Sequence, residues 1–343
     1  MRSVEVAADR SLTVVEGPSA EPSSGEALLE VAYCGICGSD LHFRDDPALF
    51  PAGTVPGHEL TGRIAALGEG VTGWEVGERV CVLPFAQCGE CETCLSGNEQ
   101  VCPEALPNGV GLGTGRPGAY AEQLIVDARM LFPLPDTVDD RAGTLVEPLA
   151  VAVHAVAKAG VDPAEPVAVL GTGPVGLLTG LVLRERGYER MALVSRNPAR
   201  TERAEALGLP TVPLSEAEEG LEGALGGAPA CVFECAGTPH AAELAVGAVR
   251  PLGQVILVGI ALEPLDISAP AVVLKEVEIR GAIIYRRSDF TEAIELLASG
   301  RMPADQLITA TAPLERAEDM FQALVAPGNQ QVKVVLSAGA VTS

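Results

Sequence analysis

Two short runs, 37–42 and 57–59, hold between them a thiol, a hydroxyl, two carboxylates and two imidazoles: Cys37, Ser39, Asp40, His42, His58 and Glu59. A thiolate and a neutral imidazole are good zinc ligands, and three protein ligands with an open fourth position make a catalytic site rather than a structural one. Cys37 and His58 are the expected ligands. The third is a carboxylate, either Glu59 beside His58 or Glu147 within the apolar run Leu145-Val146-Glu147-Pro148-Leu149. Taken singly, Cys37 reads as a buried apolar thiol, His58 as a satisfied core histidine and Glu147 as a carboxylate favoured by a helix N-terminus. Two of the chain's four histidines fall in these runs, which favours the metal. Asp40 suits the role of orienting a ligand imidazole and holding its tautomer. Ser39 and His42 suit a relay that removes an alcohol proton towards solvent.

A second cysteine group, Cys88, Cys91, Cys94 and Cys102, is more specific still. Four thiolates this close can close a tetrahedral shell around zinc, and a shell without an open position is structural. An iron–sulfur cluster is the other use of such a spacing, but the sequence offers it no redox partner. Nine cysteines in a chain of this size, without a secretion signal, argue for metal ligation over a disulfide framework.

Gly171, Gly173 and Gly176, with Pro174 and Val175 between them, follow a predicted strand and open a predicted helix. In that context GxGxxG means dinucleotide binding: the glycines allow a tight turn and close backbone approach, and the helix N-terminus faces the pyrophosphate. The next strand ends in Ser195-Arg196-Asn197, with Arg200 behind, where an NAD enzyme would carry an acid. With no acid to repel a 2′-phosphate, Ser195, Arg196 and Arg200 could bind it, so NADP is favoured over NAD. The plainer reading makes the two arginines a solvated helix start.

The elements that must position these groups change character along the chain. Positions 4–143 are rich in Gly and Pro, with short β-prone runs at 27–33, 60–67, 79–83 and 119–126. From 145 to 281 strands alternate with helices: 166–170, 191–194, 230–233 and 254–258 as strands; 175–186, 200–207 and 241–249 as helices. That alternation predicts an α/β fold with a doubly wound parallel sheet behind a β-rich first domain. Helices at 289–299 and 314–323 and a strand at 331–336 then return to the first domain, because so short a tail has too little core of its own.

The 343 residues are 48% hydrophobic and 20% charged, a composition that suits two globular domains. A net charge of −23 excludes nucleic acid and anionic membranes as partners. No apolar run approaches the roughly 20 residues of a membrane span, and no basic-then-apolar leader opens the chain, so a cytoplasmic protein is expected. Three lysines against 20 arginines read as coding bias.

Together these residues resemble the zinc-dependent medium-chain alcohol and polyol dehydrogenases over essentially the whole chain. The family pattern G-I-C-x-S/T-D-x-H matches Cys37, Ser39, Asp40 and His42, and G-H-E matches His58 and Glu59. The resemblance implies a GroES-like catalytic zinc domain at 1–148 and 285–343 and a Rossmann domain at 149–284. It implies two zinc ions per chain and reversible oxidation of a secondary alcohol to a ketone by hydride transfer to the nicotinamide. Glu147-Pro148-Leu149 resembles the branch containing sorbitol, threonine, 2,3-butanediol and glucose dehydrogenases, in which the carboxylates matching Glu59 and Glu147 alternate on the metal. Lys333 falls where the family carries a basic residue on the cofactor pyrophosphate, and Ile284 stands where sorbitol-type enzymes have Arg. The relatives are homodimers or homotetramers joined by strands at the edge of the cofactor domain.

Phe43, Phe50, Leu112 and Tyr285 are the expected pocket walls, and they do not rank polyol, sugar, diol or hydroxy amino acid. The rivals are a zinc-free quinone or enoyl reductase, which needs neither Cys37 nor His58, and a non-catalytic zinc- and nucleotide-binding protein.

Overall fold

The computed structural model describes residues 1–113 and 115–339, the side chains of Glu218 and Glu219 excepted. The last four positions of the expected tail, 340–343, lie outside the described residues. The chain divides into two compact units. One comprises Met1–Glu147, Arg286–Gly300 and the segment from Leu307 onward; the other comprises Pro148–Tyr285 and Arg301–Gln306.

The first unit is built on strands β1 (Arg2–Val6), β2 (Leu12–Glu16), β3 (Glu26–Gly35), β4 (Glu59–Leu67), β5 (Arg79–Val82), β6 (Gln123–Asp127) and β7 (Leu131–Pro133). The second holds β8 (Val167–Leu170), β9 (Met191–Ser195), β10 (Thr211–Pro213), β11 (Cys231–Glu234), β12 (Gln254–Leu257) and β13 (Glu278–Gly281). β14 (Ile308–Pro313) and β15 (Lys333–Ser337) belong to the first unit again.

Within the first unit a seven-stranded sheet runs β14-β15-β3-β4-β5-β7, with β6 also paired to β3, and β1 and β2 form a separate hairpin. β3 is the spine. Ala27, Leu29 and Val31 alternate into the core while Glu30 faces out, the period of a strand buried on one face. Its last residue, Gly35, lies opposite Glu59 of β4 and Val335 of β15, so this end of β3 gathers two sequence-distant strands.

In the second unit the sheet is parallel throughout, in the order β10-β9-β8-β11-β12-β13. That is the doubly wound order 3-2-1-4-5-6, as the alternation of strands and helices predicts. Val167-Ala168-Val169-Leu170 is buried at every position, as a central parallel strand covered on both faces must be.

Helix boundaries shift by a few residues where cap chemistry decides them. The helix expected at 200–207 is Pro198–Ala206: the Asn197 side chain accepts from the Ala199 amide, and Pro198 sits in the first turn. The strand expected at 119–126 starts only at Gln123. The amides of residues 118–122 instead hydrogen-bond to two separate segments, at Val55, Pro56 and Gly57 and at Arg2, and no single ladder can satisfy both at once.

Candidate active site and metal centres

Cys37 is the N-cap of helix Gly38–Arg44, with an extended backbone (φ −91°, ψ 156°). Asp40, at the third helical position, accepts the Cys37 amide at 2.9 Å, which turns the chain sharply into the helix. Ser39 and His42 stand three apart on this helix, Ser39 half-buried and His42 exposed. Glu59 opens β4 and His58 immediately precedes it, and the two are buried at 1% and 3% exposure. Ligating atoms of Cys37, His58 and Glu59 all lie within 4.8 Å of one another. Glu147, second residue of helix Val146–Ala159, is buried and outside that trio, yet its charge reaches His58 and Lys333.

The electrostatics of this pocket favour a cation. Burial works against charge on His58, but Asp40, Cys37 and Glu147 outweigh it and hold its pKa well above the usual range. Asp40 is raised by its complete burial, against the pull of His58, the Cys37 amide and the Tyr120 hydroxyl. Glu59 Oε1, Asp40 Oδ1 and His58 Nδ1 are buried without a hydrogen-bond partner. Asp40 Oδ1 stands 3.5 Å from His58 Nδ1, which leaves the other imidazole nitrogen for the site. Buried carboxylates with open lone pairs beside a thiol and an imidazole are a donor set that a zinc ion fits.

Lys333 has a partner that the sequence expectation did not include. Its ammonium is 1% exposed, paired with Glu59 Oε2 and donating to the Ile36 carbonyl at 3.0 Å, which places it against the carboxylate of the candidate metal site. Burial lowers its pKa, but Glu59, Cys37 and Glu147 prevail and raise it. Gly35 makes the room: a Cβ there would lie 2.1 Å from Glu59 Oε2 and 3.0 Å from Lys333 Cε.

Cys88, Cys91, Cys94 and Cys102 converge as their spacing predicts. Sγ separations are 3.6 Å for Cys88–Cys102, 3.8 Å for Cys91–Cys102 and 3.9 Å for Cys88–Cys94. Sulfurs at the corners of a tetrahedron about zinc, at roughly 2.3 Å each, lie about 3.8 Å apart. None is in a disulfide. The Thr93 hydroxyl and the Cys94 amide lower Cys91 to about 6, while burial pushes Cys94 up to about 12.

In the second unit Gly171, at φ +110°, and Gly176 form the turn from β8 into helix Pro174–Glu185. A Cβ on Gly176 would lie 2.0 Å from the Gly171 carbonyl oxygen, whereas one on Gly173 would meet nothing within 4 Å. The helix start is thus open on its outer side. Ser195 is buried, its hydroxyl 2.8 Å from Thr172 Oγ1 and donating to the Asn197 carbonyl, so it ties the glycine loop to the end of β9 instead of pointing outward. Arg196 is exposed. Burial, and then the neighbouring Arg196 charge, lower Arg200.

Of the expected pocket walls, Phe50 is fully buried core, edge-on to Phe43 at 5.7 Å, and Tyr285 is fully buried too. Sequence reasoning missed Tyr120, whose hydroxyl donates to Asp40 Oδ2 at 2.7 Å, and the Glu59–Lys333 pair. An aromatic or a lysine in a hydrophobic run carries no local sign of such a partner.

Comparison with known proteins decides the family. Residues 23–136 match the family model "Alcohol dehydrogenase GroES-like domain" and residues 174–299 match "Zinc-binding dehydrogenase". The chain is 36% identical to a 2-dehydro-3-deoxy-L-galactonate 5-dehydrogenase from Pseudoalteromonas atlantica, over 92% of each chain. The chain belongs to the zinc-type medium-chain alcohol and polyol dehydrogenase family. It is an oxidoreductase with the GroES-like and Rossmann architecture expected of that family.

Two solved dehydrogenases match almost the whole length. An alcohol dehydrogenase from Escherichia coli CFT073, complexed with NADH, is 28% identical with a TM-score of 0.89, covering 98% of this chain and 99% of its own. A zinc-binding dehydrogenase from Sinorhizobium meliloti, bound to NADP, is 28% identical with a TM-score of 0.88, covering 98% of each. Among the described residues no helix is long and apolar enough to cross a membrane.

Proposed function

We propose that this dehydrogenase interconverts a secondary alcohol and its ketone, with Cys37, His58 and Glu59 holding a catalytic zinc and the four-cysteine lobe a structural one. The observation that carries this reading is the convergence of those three ligand atoms beside the helix that bears Ser39 and His42. When bound, the ion supplies a Lewis acid for the substrate oxygen. The chain does the rest. Asp40 orients His58; Ser39, half-buried, accepts the alcohol proton as it gives its own to His42, which is exposed one turn further along and releases a proton to water. Glu147 stays within electrostatic reach as the alternative carboxylate.

The open face of the Gly171–Gly176 turn, at the N-terminus of the helix that Pro174 and Val175 begin, would hold the cofactor's pyrophosphate. NADP is favoured over NAD: no acid ends β9, and Arg196 and Arg200 supply two positive charges there. Of the two units, the first is the catalytic zinc domain and the second the cofactor domain.

The substrate is a polyol, diol, sugar, hydroxy amino acid or sugar acid, the last suggested by the galactonate-derivative dehydrogenase among the relatives. A homodimer or homotetramer is supported by β13, the last strand of its sheet, paired on one side with β12 and, among the described residues, with no strand on the other, exposed at every position and carrying Ile279.

The test is a panel of secondary alcohols, including sugar acids, offered with NADP and with NAD to zinc-loaded protein and followed by the absorbance of reduced nicotinamide. Turnover on at least one alcohol, faster with NADP, is expected. Failure on every alcohol and ketone with either cofactor would refute the reading.

A further inference from the structure

Tyr120 is a fully buried residue of the first unit, in the irregular segment just before β6. Its hydroxyl donates to Asp40 Oδ2 at 2.7 Å, with the Gly35 carbonyl a more distant acceptor at 3.5 Å. Asp40 Oδ2 also accepts the Cys37 amide, so both donors converge on one carboxylate oxygen. The other oxygen, Oδ1, is left to face His58 Nδ1. The Tyr120 ring has a second contact with the site. Gly57, which delivers His58, adopts φ +102°, and a Cβ on it would lie 2.5 Å from Tyr120 Cδ1. Phe321 backs the ring edge-on at 6.1 Å.

We propose that Tyr120 is a positioning residue of the metal centre. Its hydroxyl fixes the rotation of the Asp40 carboxylate so that Oδ1 is presented to His58, and its ring seats the backbone that carries His58. This rests on the reading that Cys37, His58 and Glu59 hold a metal. A hydroxyl bonded to a buried carboxylate is a charge-assisted contact, stronger than a neutral pair. Without it Asp40 keeps one donor, its carboxylate can turn, and the imidazole loses its fixed partner.

Removing the direct partner of a ligating histidine weakens metal binding by about 10–100-fold, and Tyr120 acts one bond further out, so about tenfold is expected.

The test is Tyr120→Phe in the full-length protein, which deletes one oxygen and keeps the ring under Gly57. Zinc affinity is measured by competition with a chelator, and cobalt(II) substituted at the Cys37 site reports geometry through its visible bands. The expected result is roughly tenfold weaker binding at the Cys37 site, shifted cobalt bands and unchanged binding at the four-cysteine lobe. Introduced into Asp40→Ala protein, the same substitution should change affinity by about twofold or less, because its effect passes through Asp40. Wild-type affinity and bands in Tyr120→Phe would overturn the proposal, as would an equal loss with and without Asp40. A wild-type protein with no metal at Cys37 and His58 would overturn the functional reading itself, a result separable from the other two.

Discussion

Replacing Lys333 by Met removes the ammonium from a carboxylate that is 1% exposed and leaves the length of the side chain. Glu59 then has no cation, and its oxygens have no hydrogen-bond donor to fall back on. Breaking a buried pair from one side costs about 3–5 kcal/mol, because the remaining charge is stranded in low dielectric. For a unit of roughly 200 residues, each kcal/mol moves the melting temperature by about 2–4 °C, so a fall of about 6–20 °C is expected in metal-free protein.

Two comparisons separate this cause from simple loss of packing. Adding Glu59→Gln to the Lys333→Met protein removes the stranded charge and should restore at least about half of the lost stability. Supplying zinc should also shrink the loss, since a cation returns to the same carboxylate. The assay is thermal unfolding followed by circular dichroism, with and without chelator. A metal-free Lys333→Met protein melting within about 2 °C of wild type would refute the reasoning, as would a double variant no more stable than the single one.

Three further outcomes follow from the geometry. His42→Ala should slow alcohol oxidation by about 10–100-fold while zinc content stays at the wild-type level, because His42 is an exposed proton carrier and not a ligand; stopped-flow turnover with metal analysis checks both. Ser195→Asp puts a carboxylate at the end of β9, and the ratio of kcat/KM for NADP over NAD should fall by about tenfold or more. Glu26, held below the usual carboxylate pKa of 4.5 by its hydrogen bond from Arg116, contributes stability present above about 4.5 and lost as pH falls through its lower folded value. The pair is partly exposed, so Glu26→Gln should cost about 1 kcal/mol or less at pH 7 and flatten the acid limb of a urea-midpoint profile.

How much of this was legible in the sequence depended on whether the signal was local. Gly171, Gly173 and Gly176 sit between a fully apolar strand and a helical repeat, so the nucleotide turn and the parallel sheet could both be read directly. The four cysteines likewise announce their own geometry. Cys37, Asp40 and His58 carry their chemistry in their residue types. What gathers them is the pairing of Gly35 with Glu59 and with Val335, which joins segments almost 300 residues apart and leaves no periodic trace. The family resemblance implies a pyrophosphate contact for Lys333, but its pairing with Glu59 has no local sign in the sequence. Tyr120 went unread because the segment around it looked like a strand, whereas its amides serve two different stretches of chain. Ser195 was expected to face a ligand, yet its hydroxyl is taken up by Thr172, a contact that only the pairing of β8 with β9 creates.

The central claim is that Cys37 and His58, with a carboxylate, hold a catalytic metal separate from the four-cysteine lobe. The most direct test is the zinc content of purified Cys37→Ala protein, determined beside wild type by atomic emission. The account predicts that the variant keeps the zinc of the lobe, loses the other and has no alcohol-oxidising activity. A Cys37→Ala protein with the full zinc content of wild type, or with wild-type turnover, would contradict it.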